Sequence, residues 1–287
     1  MIKTLEEAQV AVVGLGLMGG SLAGALRGKC RSVVGVARRA ETVTAALERG
    51  LIDRGTTDLA EGVGAADVVV LATPVRVILR QLDEIGPLLP PGCLLLDLGS
   101  TKVRIVEAME RLPAHVQPLG GHPMCGKETS GVEAADPDLY RGRTFILTPL
   151  ARTSEAALAL GRALAGAVGA IPLVLEAARQ DALVATLSHL PYLLACVLVA
   201  TADTLTSPDP AAWEIVAGGF RDTSRVAGSD VTMMLDILMT NRVQVLKAVT
   251  TCQAHLAYLA RLLEDGDEES LRTSLEAIRA ERVRMFP

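Results

Sequence analysis

The chain has 287 residues and a formal net charge of −5; half of it is apolar but only 2% aromatic. That length can bury a large core in one or two domains, and the core must be aliphatic. A pI of about 5.5, with no Lys/Arg-rich run interleaved with aromatics, argues against a nucleic-acid binder. The five cysteines (Cys30, Cys93, Cys125, Cys196, Cys252) form no CxxC pair. They point to a reducing, cytoplasmic setting, with no disulfide framework and no metal site.

In chain order, apolar β-branched runs predict strands at Val10–Val13, Val33–Val36, Val68–Leu71 and Leu94–Leu96. Weaker runs follow near Val116–Leu119, Thr144–Leu147 and Ile171–Leu175. Helix-like segments lie between most of them, at Ser21–Arg27, Glu41–Arg49, Arg76–Ile85, Val103–Arg111 and Ser154–Val168. Strands alternating with helices imply an α/β, Rossmann-type, doubly wound and mostly parallel sheet. After Glu176 the strand signal stops. A dinucleotide-binding domain is expected over 1–175, and an all-α substrate and dimerisation domain over 176–287.

Two uncharged stretches resemble membrane spans. Val10 to Leu26 is preceded by acids where a signal peptide has positive charge, and its glycines have another use. Ala182 to Ala202 is long enough to cross a bilayer but is bracketed by Asp181 and Asp203. It is expected to be a helix buried on all sides in a soluble domain, with no membrane association.

Gly14-Leu15-Gly16-Leu17-Met18-Gly19 follows the first strand and opens a helix, the context of the dinucleotide fingerprint. There one glycine turns the chain, one lets N–H groups reach the pyrophosphate, and one packs helix on strand. After the second strand, Ala37-Arg38-Arg39 stands where an NAD site usually has an acid. Guanidinium groups suit a 2′-phosphate, so NADP is expected, with NAD as the alternative. In the other reading the arginines are ordinary solvated residues and Glu41 does the acid's job. Ala72-Thr73-Pro74 ends the third run at a ligand-binding sheet edge. Asp97-Leu98-Gly99-Ser100-Thr101-Lys102 ends the fourth, where Ser100 could reach nicotinamide and substrate, cap the next helix, or do both.

Gly120-Gly121-His122-Pro123-Met124-Cys125-Gly126 packs glycines and a proline around one of four histidines. It is expected to be a rigid turn that holds the imidazole for proton chemistry; a surface histidine on a tight turn is the bland alternative. Cys125 beside it reads as a small filler residue or as a nucleophile.

Together these strings resemble the prephenate/arogenate dehydrogenase family of tyrosine biosynthesis, over nearly the whole chain. The resemblance also rests on Ser130-Gly131, Ser188-His189-Leu190-Pro191 and Gly219-Phe220-Arg221-Asp222-Thr223-Ser224-Arg225. It implies oxidation of a cyclohexadienol at its ring carbinol, hydride transfer to a nicotinamide and loss of the ring carboxylate as CO2. His122 matches the catalytic histidine that draws the hydroxyl proton, which implies loss of activity at acidic pH. Ser100 matches the serine that orients the hydroxyl, and Arg225 the arginine that binds a substrate carboxylate. Gly126, His189, Tyr192 and Glu128 fall in the implied substrate site. Tyr192 stands where many prephenate-using members have histidine, and a tryptophan some members carry near Met234 is absent. Glu128 could pair with the ammonium of arogenate, gate the site, or be a surface acid. The helical half is unusually apolar and its Ala182–Ala202 segment needs cover on every side, so a homodimer built through the helical part is expected, as the family also implies. With the chain ending at Pro287 no regulatory domain is expected, so any inhibition by tyrosine should be competitive. The alternatives are a β-hydroxyacid dehydrogenase and a non-catalytic NADP-binding protein.

Overall fold

A computed structural model describes residues 3–127 and 129–286. It divides into two compact units, Met1–Arg242 and Val243–Pro287. The first unit begins with β1 (Gln9–Val13), α1 (Leu17–Leu26), β2 (Ser32–Val36), α2 (Ala40–Glu48), β3 (Arg54–Thr56) and α3 (Leu59–Val63). It continues with β4 (Val68–Leu71), α4 (Val75–Ile85), β5 (Leu94–Asp97), α5 (Val103–Met109), β6 (Gln117–Pro123), β7 (Thr144–Pro149), α6 (Glu155–Ala167) and β8 (Ile171–Val174). The helices α7 (Ala177–Val184), α8 (Leu190–Thr206), α9 (Gly218–Ser224) and α10 (Val231–Thr240) follow. The helix α11 (Arg242–Glu264) starts at the last residue of the first unit, and the rest of it with α12 (Glu268–Met285) makes up the second.

The eight strands form one sheet in the order β3-β2-β1-β4-β5-β6-β7-β8. All neighbours are parallel except β6 and β7. The central strands are buried on both faces, which is why they read as continuous Val/Leu runs rather than as alternation. Each face packs its own aliphatic core, as in the doubly wound arrangement. From β1 the chain builds β2 and β3 on one side, then crosses to β4 on the other. This is the topological switch point, where such sheets open a crevice at the strands' C-terminal ends.

The glycine-histidine string is strand, not turn. β6 runs through Gly120, Gly121, His122 and Pro123, with His122 opposite Ile146 of β7. Positive φ occurs at neither Gly120 nor Gly121. Glycine is needed at 121 for close approach, since a Cβ there would collide with the Asp97 carbonyl oxygen.

The 175/176 boundary marks where strands end, yet α7 to α10 belong to the same compact unit as the sheet. Buried polar groups hold them there. Asp181 of α7 accepts from the backbone N–H of Lys102 (2.7 Å) and Val103 (2.9 Å), capping α5 from a distance. Ser100 therefore does not cap that helix; Lys102 holds the N-cap position, without a side-chain cap bond. Asp236 of α10 accepts the Arg76 N–H at the start of α4 (3.2 Å) and pairs with its guanidinium (3.3 Å).

The apolar stretch after Asp181 is helical but not buried on all sides. Residues Ala177–Thr206 form one helical run, through a π-helical turn at Ala185–His189. It is long and apolar enough to cross a membrane, with mean hydropathy 2.0, and 22% of that window is buried. Leu187 and Leu205 are 72% and 75% exposed. A helix apolar all round needs cover on every side, and a single chain covers the face carrying Gln180, Asp181, Val184, Ala185, His189, Tyr192 and Ala195.

Candidate active site

A cavity of about 650 Å³ opens at the C-terminal ends of β1, β4, β5 and β6. One wall is Gly16, Leu17 and Met18 with Ala72, Thr73 and Pro74; the floor holds Ser100 and His122; the far wall is His189 with Met233, Met234 and Ile237 of α10. Gly126 lies on the rim.

The glycine loop fits a dinucleotide pyrophosphate. Gly14 has φ +101°, and a Cβ at Gly19 would overlap the Gly14 carbonyl oxygen, so both positions require glycine. Nothing lies within 4 Å of where a Gly16 Cβ would be. Gly16 is also the N-cap of α1, without a side-chain cap bond. Open backbone at a helix N-terminus is an anion site. Tyr140 Oη, donating to the Met18 carbonyl (2.6 Å), and Ser21 Oγ, accepting from Asp136 N–H (2.8 Å), tie this loop to the chain leaving β6.

His122 is 8% exposed. Burial lowers its pKa to about 3, with smaller contributions from the Lys102 charge and from His189. The imidazole is thus neutral at pH 7, the form that can accept a proton. Any acid loss of activity due to His122 in the free protein lies near pH 3. Burial likewise lowers the His189 pKa to about 4. The His122 Nδ1 lies 3.3 Å from Gln180 Nε2, which also reaches the Ser100 carbonyl (3.3 Å). His189 Nδ1 lies 3.4 Å from Asn241 Nδ2.

Beneath His122 sits a fully buried ion pair, Asp97 with Lys102. Asp97 Oδ1 accepts from Gly121 N–H (3.0 Å) and Lys102 Nζ donates to the Gly121 carbonyl (2.6 Å). The pair grips both backbone groups of the residue before His122. Burial pushes the Asp97 carboxyl up and the Lys102 ammonium down, and each partner's charge opposes that.

The structure brings together Gly16, Leu17, Met18, Ala72, Thr73, Pro74, Ser100, His122, Gly126 and His189 around the cavity. Gly14, Leu15 and Gly19 support the loop from behind. Arg38 and Arg39 are exposed beyond the end of β2, away from the cavity lining. Arg225 is exposed on the 3-10 turn Arg225–Gly228, and Ser229 just after it reaches the cavity. Tyr192 does not face the cavity: it is buried in a cluster with Met234 and Ile237, because the helical run turns its ring toward α10. Glu128 lies outside the described residues. Cys125 lines the cavity, and burial raises its thiol pKa to about 11, which keeps it protonated and a poor nucleophile. The reading of single motifs missed Gln180, Asp181 and Asn241. Their only signal is polarity at the edges of apolar helices.

A model of the prephenate dehydrogenase nucleotide-binding domain matches residues 22–172, and one of the prephenate dehydrogenase dimerization domain matches 176–277. The first match begins after the glycine loop. The chain is 33% identical to a prephenate dehydrogenase of Lactococcus lactis subsp. cremoris over 272 residues, 93% of this chain and 75% of the relative. Among solved structures it is similar to prephenate dehydrogenase from A. aeolicus in complex with hydroxyphenyl propionate and NAD+, with 31% identity, a TM-score of 0.90, and coverage of 99% and 100% of the two chains. It is also similar to Synechocystis arogenate dehydrogenase, with 30% identity, a TM-score of 0.84, and 96% and 99% coverage. With both domain models matched in order along one Rossmann-like fold and helical segment, the chain belongs to the prephenate dehydrogenase family.

Proposed function

We propose that this protein oxidises and decarboxylates prephenate or arogenate at the cavity, with hydride transfer to a nicotinamide cofactor. The observation that carries the reading is a buried, neutral His122 facing a glycine loop that fits a dinucleotide. The bound nicotinamide would supply the hydride acceptor. His122 takes the proton of the ring hydroxyl as the carbinol C–H bond breaks, and returns it once the ring is aromatic. Ser100 orients that hydroxyl. Arg225 binds a substrate carboxylate, its turn adjoining Ser229 at the cavity. The apolar wall of Met233, Met234 and Ile237 keeps water from the ring.

Arg38 and Arg39 favour NADP, because they follow β2 with only the buried Ala37 between. Two contacts to a 2′-phosphate from exposed guanidinium groups, each worth about 0.7–1.4 kcal/mol net, correspond to a preference of roughly 10- to 100-fold. The test is a set of initial rates for prephenate and arogenate, each with NAD and NADP. Expected are turnover with at least one substrate, an NADP preference of that size, its loss in Arg38→Ala/Arg39→Ala, and competitive inhibition by tyrosine. No turnover in any of the four combinations would sink the reading.

The exposed apolar residues of the Ala177–Thr206 run support a homodimer, with a second copy supplying the missing cover. Light scattering is expected to give twice the 30.1 kDa chain mass. A monomer mass at micromolar concentration would contradict it.

A further inference from the structure

Gln180 sits on α7 with no exposed surface, and no step proposed above uses it. Its Nε2 lies 3.3 Å from His122 Nδ1, 3.3 Å from the Ser100 carbonyl oxygen and 3.4 Å from Asp181 Oδ1. The last two are acceptors, so the atom facing them is the amide nitrogen; turning the amide over would set oxygen against two oxygens. The other end, Oε1, is buried and has no hydrogen-bond partner among the described residues. An amide N–H facing Nδ1 requires a lone pair there, so the neutral ring carries its proton on Nε2.

We propose that Gln180 is the positioning residue of His122, whose amide sets which ring nitrogen carries the proton at the cavity. The inference rests on the proton-accepting role given to His122 above. In the orientation observed, Nε2 is protonated and meets a substrate oxygen as a donor. To accept a proton at Nε2, the ring must hold its own proton on Nδ1, and that N–H needs an acceptor. Gln180 Oε1 is the acceptor at hand, brought to Nδ1 by rotation of the amide about its terminal torsion; that turn sets the oxygen against the Ser100 carbonyl and Asp181 Oδ1, so it is the less stable position, taken only while Nδ1 carries the proton. The unpartnered oxygen is thus the second position of a two-position switch. The ionisable groups around the pair are Lys102, Asp97, Asp181 and His189.

The test compares Gln180→Glu, read at alkaline pH where a carboxyl raised by burial and by Asp181 is ionised and only accepts, with Gln180→Met, which is similar in size and makes no such bond. Nitrogen-15 NMR of histidine-labelled protein reads the tautomer directly, with His122→Asn assigning the signal. Expected are the Nε2–H form in the unsubstituted protein and the Nδ1–H form in Gln180→Glu. The kinetic readouts are a fall of roughly tenfold in kcat for Gln180→Met at unchanged KM, the size of one lost hydrogen bond of about 1.4 kcal/mol, and an acid limb displaced upward in Gln180→Glu. Unchanged dinucleotide affinity in both variants shows that they are folded. An unmoved His122 tautomer in Gln180→Glu, or a Gln180→Met variant with full kcat, would overturn the proposal. A tautomer that moves as expected in a protein that turns over neither substrate would sink the function and leave the Gln180 role standing.

Discussion

His122→Asn is expected to lower turnover by roughly 10²- to 10⁴-fold, the usual contribution of a positioned proton-transfer group. Dinucleotide affinity should be unchanged, because the glycine loop and the end of β4 do not depend on the imidazole. Asn keeps polarity and approximate shape but cannot take a proton at the cavity. Stopped-flow or steady-state rates, with nucleotide binding by fluorescence, separate the two effects; normal turnover in the variant would remove His122 from the mechanism. The same substitution has a stability readout. The folded pKa of about 3 lies below the unfolded value near 6.5, so between those values the unfolded chain binds the extra proton. Stability therefore falls on acidification through that window, by up to about 1.4 kcal/mol per pH unit for this group. Urea denaturation at pH 7 and pH 5 should show a smaller acid loss in His122→Asn than in the unsubstituted protein. Equal acid losses would mean that His122 is not held neutral by burial.

Lys102→Met is expected to cost about 3–5 kcal/mol of folding stability, the range for breaking one side of a buried ion pair. The substitution leaves the Asp97 carboxyl without its cation, in a place where neither side chain is exposed. Adding Asp97→Asn should recover part of the loss, because an amide carries no charge to bury. The site should suffer too, since Lys102 Nζ also holds the Gly121 carbonyl (2.6 Å) and through it the backbone of His122. Urea midpoints of the two single variants and the double variant form the measurement. A Lys102→Met midpoint within error of the unsubstituted one would show that the pair contributes nothing.

Much of the sheet was legible because its strands are buried on both faces and read as plain Val/Leu runs. β3 (Arg54–Thr56) and α3 (Leu59–Val63) were not. Three residues with one glycine carry no apolar pattern, and β3 exists only because Val34–Val36 of β2 offers it an edge. The helix α1 starts four residues before the segment that its sequence pattern marks, because Leu17-Met18-Gly19-Gly20 resembles a loop and is made helical by the close packing of Ala72 and the Gly14 carbonyl on Gly19. His122 lines the cavity, but from a strand and not from the turn that its glycines suggest. Its rigidity comes from β6 pairing with β7 and from the Asp97–Lys102 grip on Gly121. Tyr192, by contrast, lies outside the cavity lining. Two residues past Leu190 the helix has rotated, and the ring meets Met234 and Ile237 rather than the cavity.

By itself, the sequence determined the features that depend on local chemistry: a βαβ glycine loop, an aliphatic doubly wound sheet, a helical second half and the family they compose. Short-range backbone geometry and residue type suffice for those. The tertiary structure alone decided that Asp181 caps α5 across a gap of 78 residues, that Gln180 faces His122, that Asp97 and Lys102 stand under the site, and that one face of the Ala177–Thr206 run lies bare. Each of these depends on groups far apart in the chain sharing a dry interior, where an unpaired polar atom is costly and a partner has to be found wherever the fold brings one.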